Sequence, residues 1–371
     1  MLLEENYFMK KIMLLAGLMI ISAGCAVQGE KPSAPGNAKI RTFFNWSFPS
    51  KEADAAKYAE AGVTAAMVLN EKQYKLALKY GIRPYWKCFT PEGPWPQKMT
   101  PEEEKYSDYI GGKDLDPKLP RAERRKITDR RRIEKQHRYG GEAVTEPDAQ
   151  SSAIKCFISD GDFSLSARRL DKILDSAPEG VRGICLDFFG YTNHRGCYCD
   201  SCLRKYRAFL KKNKLKDTQA NRDCFYRDEL VAYYDKVISY IKKRKPEYKV
   251  LVHIYPDFRP DHLYGNRIRA DYCGQTVAWY FKWPAEKIRR YTKYVVEHAK
   301  DHHADAEGIP FLGLNGNAQI SLGYKTPADV ERELRTILAA GGRSLMICCG
   351  HYVIEPGYFE VFKKYCGKPS R

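Results

Sequence analysis

The sequence predicts a (β/α)8 barrel with a long excursion after its third strand, and three observations carry that expectation. Short apolar runs suited to buried strands recur eight times along the chain, most of them followed by an amphipathic helical pattern. Such alternation produces right-handed βαβ units and a parallel sheet. Polar and aromatic residues gather just past the carboxyl ends of these runs, where barrels of this kind place their function.

The chain opens with a targeting segment. Lys10 and Lys11 precede an apolar run from Ile12 to Ile21, and Ser22-Ala23-Gly24-Cys25 then places small residues before a cysteine. This resembles a bacterial lipoprotein signal over residues 1–25, with Cys25 as the lipidated first residue of the mature protein, exported and held on a membrane. Residues 26–37 are rich in Pro, Gly and Ser and read as a tether. The barrel is expected over 38–371.

Ala38 to Phe44 is the first strand, and a helix follows from Ser50 to Ala61, ended by Gly62. Thr64 to Leu69 and Ile82 to Cys88 are the next strands, with a helix over Glu71 to Tyr80 between them. Residues 91–155 then break the rhythm. They are charged, rich in Pro and Gly and weakly periodic, and in a barrel they would lie over the active face as a wall or lid. The alternation resumes with a helix over Ser164 to Leu174 and a strand from Arg182 to Asp187. Helices at Leu203 to Lys211 and Asp223 to Arg244 follow. Further strands run from Lys249 to Tyr255, Tyr272 to Trp279, Pro310 to Leu314 and Ser344 to Cys348. Helices begin near Pro284, Thr326 and Tyr358.

Composition bounds the function classes. The chain has 371 residues, 43% of them hydrophobic, which is enough for a full core. The formal net charge is +17, much of the excess lying in Lys118 to Arg138. A solvated helix face is the plainer reading of that block; no nucleic-acid motif accompanies it and the targeting segment argues against nucleic acid, so among partners an acidic polysaccharide or an anionic membrane surface is the more compatible. The chain has 12 cysteines, but Cys88, Cys185, Cys273, Cys348 and Cys349 sit inside apolar runs, where a thiol behaves as a small hydrophobe. Cys197, Cys199 and Cys202 differ: their C-x-C-x-x-C spacing suits one tetrahedral zinc ion, and a Cys199–Cys202 disulfide is the structural rival.

Reading the strand ends in turn gives Asn45 and Trp46, Lys87, Asp187, His253 and Tyr255, Trp279, Asn315 and His351 as residues lining a sugar site. Asp187 ends an apolar run and is the expected nucleophile or general base, with a structural carboxylate paired to Lys87 or Arg41 as the plainer reading. Glycoside hydrolysis ordinarily needs a second carboxylate. Asp257, just past the fifth strand, is the expected acid, followed by Glu355 and Glu92.

The fourth strand with the CYCDSC loop behind it resembles glycoside-hydrolase-like (β/α)8 proteins and the zinc-site β-galactosidases of glycoside hydrolase family 42. In the latter, a distant upstream cysteine joins the C-x-C-x-x-C. The resemblance therefore implies a structural zinc on Cys156, Cys197, Cys199 and Cys202, with Cys224, His194 or Asp200 as alternative fourth ligands. It also implies a poly- or oligosaccharide substrate. One departure stands out. Those galactosidases carry Asn-Glu at the end of strand four, where this chain has Asp187-Phe188. An Asp there resembles the nucleophile position of other barrel glycosidases. A barrel that binds glycan without hydrolysing it is the alternative.

Overall fold

The computed structural model describes residues 38–90, 112–124, 126–128, 131, 163–187, 200–254, 267–278, 282–301, 303–314, 325–348 and 350–367. The expected signal segment with Cys25, the tether and most of the 91–155 excursion lie outside them. Within that excursion, Arg131 grips Asp114 through two hydrogen bonds of 2.6 and 2.7 Å.

Eight strands close a parallel barrel in chain order, the last pairing with the first. They are β1 Thr42–Asn45, β2 Ala65–Val68, β3 Arg83–Phe89, β4 Gly183–Leu186, β5 Lys249–Ile254, β6 Tyr272–Ala278, β7 Glu307–Gly313 and β8 Ser344–Cys348. The outer helices are α1 Glu52–Glu60, α2 Glu71–Lys79, α3 Ser164–Asp175, α4 Asp200–Asn213, α5 Gln219–Arg244, α6 Ala285–His298, α7 Pro327–Ala339 and α8 Tyr358–Cys366. Two of them, α4 and α5, stand between β4 and β5. The segment after β5 lies outside the described residues. The barrel class expected from alternation is thus the class found, and each of the eight expected strands is present.

Local chemistry explains the boundaries. The Asn70 side chain accepts from the Gln73 amide and starts α2. Thr326 and Asp329 form a reciprocal capping box on α7, with Pro327 at its first position. Between β4 and β5 a glycine is obligatory: a Cβ on Gly183 would stand 1.8 Å from the Lys249 carbonyl oxygen.

The interior is filled by large side chains. Phe44 meets the edge of Tyr85 at 5.1 Å, and Tyr85 meets Tyr272 at 6.4 Å across the barrel. Outside the sheet, Phe43 stacks on Phe362 of α8 at 5.2 Å. At the amino end, buried Asp271 takes ion pairs of 2.8 Å from Lys242 and Lys249 and a hydrogen bond from the Val250 amide. That carboxylate knits α5, β5 and β6 together on the face away from the mouth.

One irregularity shapes the mouth. The register of β3 against β4 shifts between Tyr85 and Cys88, and Lys87 between them adopts the left-handed region at φ 52°. A bulge of this kind inserts one residue and resets which side chains face inward. Tyr85 pairs with Gly183 and Cys88 with Cys185, so the inward places go to Tyr85 and Cys88.

Candidate active site

Asp187 follows β4, its amide bonded to the Phe89 carbonyl at 3.1 Å, which fixes the carboxylate at the carboxyl end of the barrel. Its Oδ1 lies 2.8 Å from Nδ1 of His253, a buried residue of β5. The other ring nitrogen of His253, Nε2, lies 3.2 Å from the Thr276 hydroxyl of β6. That hydroxyl donates its own proton to the Ile254 carbonyl at 2.8 Å, so it offers His253 a lone pair. The side chains therefore form one hydrogen-bonded unit, Asp187–His253–Thr276.

Aromatic rings surround that unit. Phe311 of β7 stacks on the His253 ring at 3.8 Å and 18°. Trp46, half-buried after β1, presents an edge-on contact to His253 at 5.5 Å and to Phe311 at 6.1 Å. Asp187 keeps 18% of its side-chain surface exposed while His253 keeps 4%, so a ligand in the mouth reaches the carboxylate and not the ring behind it. Beside Asp187 lie Cys88 and Cys185. Burial raises both thiols well above their ordinary range, and the Asp187 charge adds to that rise. They are neutral, apolar neighbours of the carboxylate.

The other expected residues divide into three groups. Asn45 is fully buried at the end of β1, with the backbone of Gly350 so close that a Cβ there would meet its Oδ1 at 1.8 Å. It therefore backs the mouth and does not line it. Its amide makes no well-formed hydrogen bond among the described residues, yet it lies near enough to moderate the Tyr58 phenol, which burial pushes up to about 12. Lys87 is the clearest correction. The bulge turns it outward, its Nζ 3.3 Å from the Ser176 hydroxyl at the end of α3 and 4.9 Å above the Trp86 ring. It is thus neither a sugar ligand in the mouth nor a partner of Asp187. His351 is exposed on a single 3-10 turn, Gly350–Ile354, directly after β8, its ring against Tyr352 at 4.4 Å.

Asp257, Tyr255, Trp279 and Asn315 lie outside the described residues, as do Glu92, Cys156, Cys197 and Cys199. Glu355 is half-buried, its carbonyl accepting from the Phe359 amide at the start of α8. Cys202 is fully buried in the first turn of α4. Among the described residues, no group of three His, Cys, Asp or Glu side chains is arranged to hold a metal ion. Sequence reading missed Thr276, Phe311 and Cys88. A period-two pattern along β6, with Tyr272, Gly274 and Thr276 on one face, is the signal that points Thr276 inward.

Fold and site together define a (β/α)8-barrel protein with a carboxylate–imidazole pair in an aromatic mouth. No protein-family model matches the chain, and no curated protein matches it. Solved structures similar to it are glycoside hydrolase barrels. The PgaB (BpsB) glycoside hydrolase domain from Bordetella bronchiseptica is 8% identical, with TM-score 0.49, over 90% of this chain and 100% of that one. A GH42 β-galactosidase from G. stearothermophilus is 10% identical, with TM-score 0.48, over 88% of this chain and 56% of that one. Bee venom hyaluronidase is 11% identical, with TM-score 0.40, over 88% and 96%.

Proposed function

We propose that the protein is a glycoside hydrolase acting on an extracellular or periplasmic poly- or oligosaccharide, with Asp187 as nucleophile or general base. One observation carries this reading: a partly exposed carboxylate at the carboxyl end of β4, fixed by buried His253, whose ring Trp46 meets edge-on. Aromatic edges and faces suit the apolar patches of a sugar ring, and a carboxylate locked in place suits attack or proton abstraction at the anomeric centre. Asp257, two residues past Tyr255, is the proposed acid. Tyr255, Trp279, Asn315 and His351 complete the sugar site. Cys25 anchors the exported chain to a membrane by its lipid. A structural zinc on Cys156, Cys197, Cys199 and Cys202 would pin the loop beyond Asp187. Its four thiolates would leave no position for a reacting water.

The test is a panel of poly- and oligosaccharides scored for released reducing ends. Asp187→Asn should lower turnover by roughly 10²–10⁴-fold, the range for loss of a positioned acid–base group. Glycan binding without release, unchanged in Asp187→Asn, would show a non-catalytic glycan-binding protein instead. The zinc proposal predicts about one zinc per chain, lost with thermal stability in Cys199→Ser. A metal-free protein with Cys199 in a disulfide refutes it.

A further inference from the structure

The α4–α5 helical hairpin follows Asp187 in the chain, and its geometry is unlike that of the other outer helices. Helix α5 has 26 residues, which is about 39 Å of helix beside a β5 strand of about 20 Å. Its lower half is tied to α3. Tyr240 donates to Asp171 at 2.7 Å, and Arg244 pairs with Asp175 at 2.7 Å. Farther up, Tyr233 reaches the first turn of α3, through the Ser166 hydroxyl and the Phe163 ring at 6.0 Å. Because α3 descends into β4, its first turn marks the level of the barrel mouth. Residues 219–232 therefore stand above that rim by about 21 Å.

Helix α4 packs on this projecting half. Tyr206 meets Phe225 at 5.4 Å and donates to Asp217 at 2.8 Å, while Lys205 pairs with Glu229 at 3.6 Å. Its buried Tyr206 is thereby packed against α5. Most of its exposed residues are basic. Residues 204–216 hold seven Lys and Arg and no acid. Arg204, Arg207 and Lys211 recur at helical spacing on one face and Lys214 follows, all of them exposed. Among the described residues, Lys205 alone of the seven has an acidic partner. Leu215 adds an apolar surface at the tip, 40% exposed. A solvated helix ordinarily mixes signs and makes i,i+4 pairs, as Glu71 and Lys75 do on α2. Here like charges are held together on a rigid arm beside the mouth.

We propose that this arm is a docking rail for an anionic polysaccharide, a linear chain bearing carboxylates, which it holds while another part of the same chain enters the Asp187 mouth. The proposal rests on the carbohydrate reading above and narrows it to an acidic polymer. Charge complementarity supplies the attraction, which is long-ranged and salt-sensitive. The rigid α5 stem supplies reach.

The experiment measures binding of the full-length protein to polygalacturonate and to neutral dextran over a range of salt concentrations. A variant carrying Arg204→Glu, Arg207→Glu, Lys211→Glu and Lys214→Glu is compared with a control carrying Lys51→Glu, Lys72→Glu, Lys300→Glu and Arg335→Glu. The control removes the same charge from exposed sites elsewhere. Matching thermal melts establish that both fold. Expected is salt-dependent binding of polygalacturonate, weakened at least about tenfold in the arm variant, the scale of several screened charge contacts, and little changed in the control. Equal weakening in both variants means that net charge alone attracts the polymer, and overturns the rail. Binding to phosphatidylglycerol vesicles in place of the polysaccharide, lost in the arm variant, overturns it in favour of a membrane surface. Binding through the arm without bond cleavage leaves the rail standing and removes the hydrolase reading.

Discussion

At the scale of the residue, Thr276 decides how Asp187 is presented. Its proton is committed to Ile254, so it holds His253 by accepting, and His253 in turn meets the carboxylate with Nδ1. Thr276→Val keeps the shape and removes the acceptor, leaving a buried ring nitrogen unpaired at a cost of about 1–3 kcal/mol. Thr276→Ser should restore it. Ring-nitrogen NMR of the folded protein checks the claim directly: Nε2 of His253 should carry a proton, donated to the Thr276 hydroxyl. An unprotonated Nε2 in the native protein would contradict the arrangement. Close contact governs Gly183 in the same way. Its missing Cβ leaves room for the Lys249 carbonyl, and Gly183→Ala must spread β4 from β5. A loss of about 1–3 kcal/mol or more in chemical unfolding is expected, with the Asp187–His253 distance disturbed as well.

At the scale of the element, the strands and helices were largely legible because each carries its own period and punctuation. The fifth strand was expected from Lys249 to Tyr255 and runs over Lys249–Ile254, and Ser344–Cys348 matches its expectation. Two departures have physical causes. β7 begins at Glu307, before the expected Pro310. A proline cannot donate to a ladder and so suits the first residue of a strand. In the barrel, pairing of β7 with β8 starts only at Phe311, so the missing Pro310 donor costs that edge nothing. Lys87 was misread because a bulge is a tertiary event: the left-handed backbone that turns it outward leaves no mark in the local pattern. Of the site, Asp187, His253 and Trp46 were legible as polar or aromatic residues ending apolar runs. Their mutual distances were not, since those depend on the shear of the closed sheet. Helix α7 makes an element-scale prediction. Burial alone would raise the Asp329 carboxyl, but Lys282, the Thr326 amide and hydroxyl, and Arg332 outweigh it and hold it well below the ordinary value of 3.8. A depressed carboxyl contributes stability that is complete above its unfolded value and is lost as pH falls below it. Thermal melts should therefore drop as pH falls below about 4, and Asp329→Asn should flatten that limb. An unchanged acid limb would show that other carboxylates carry it.

At the scale of the whole molecule, the barrel's last two βα units are tied to each other beside the mouth. The Lys325 ammonium is fully buried there, 3.0 Å from the Gly313 carbonyl at the end of β7 and 2.8 Å from Glu333 of α7. Its own carbonyl accepts from the Tyr358 hydroxyl of α8. One side chain and its backbone thus join β7, α7 and α8 beside the mouth. Burial lowers the Lys325 ammonium and raises the Glu333 carboxyl, while each partner's charge opposes the shift of the other. Removing charges from water is costly, so such a pair gives little net stability, but breaking it leaves one charge alone in the interior. Lys325→Met and Glu333→Leu should each cost about 3–5 kcal/mol, whereas the double variant should come within about 1–2 kcal/mol of wild type or exceed it. Urea unfolding of all four proteins gives the coupling energy. Single-variant losses that simply add in the double variant would mean that the two side chains act independently, and that the last two units are joined here by packing rather than by the pair.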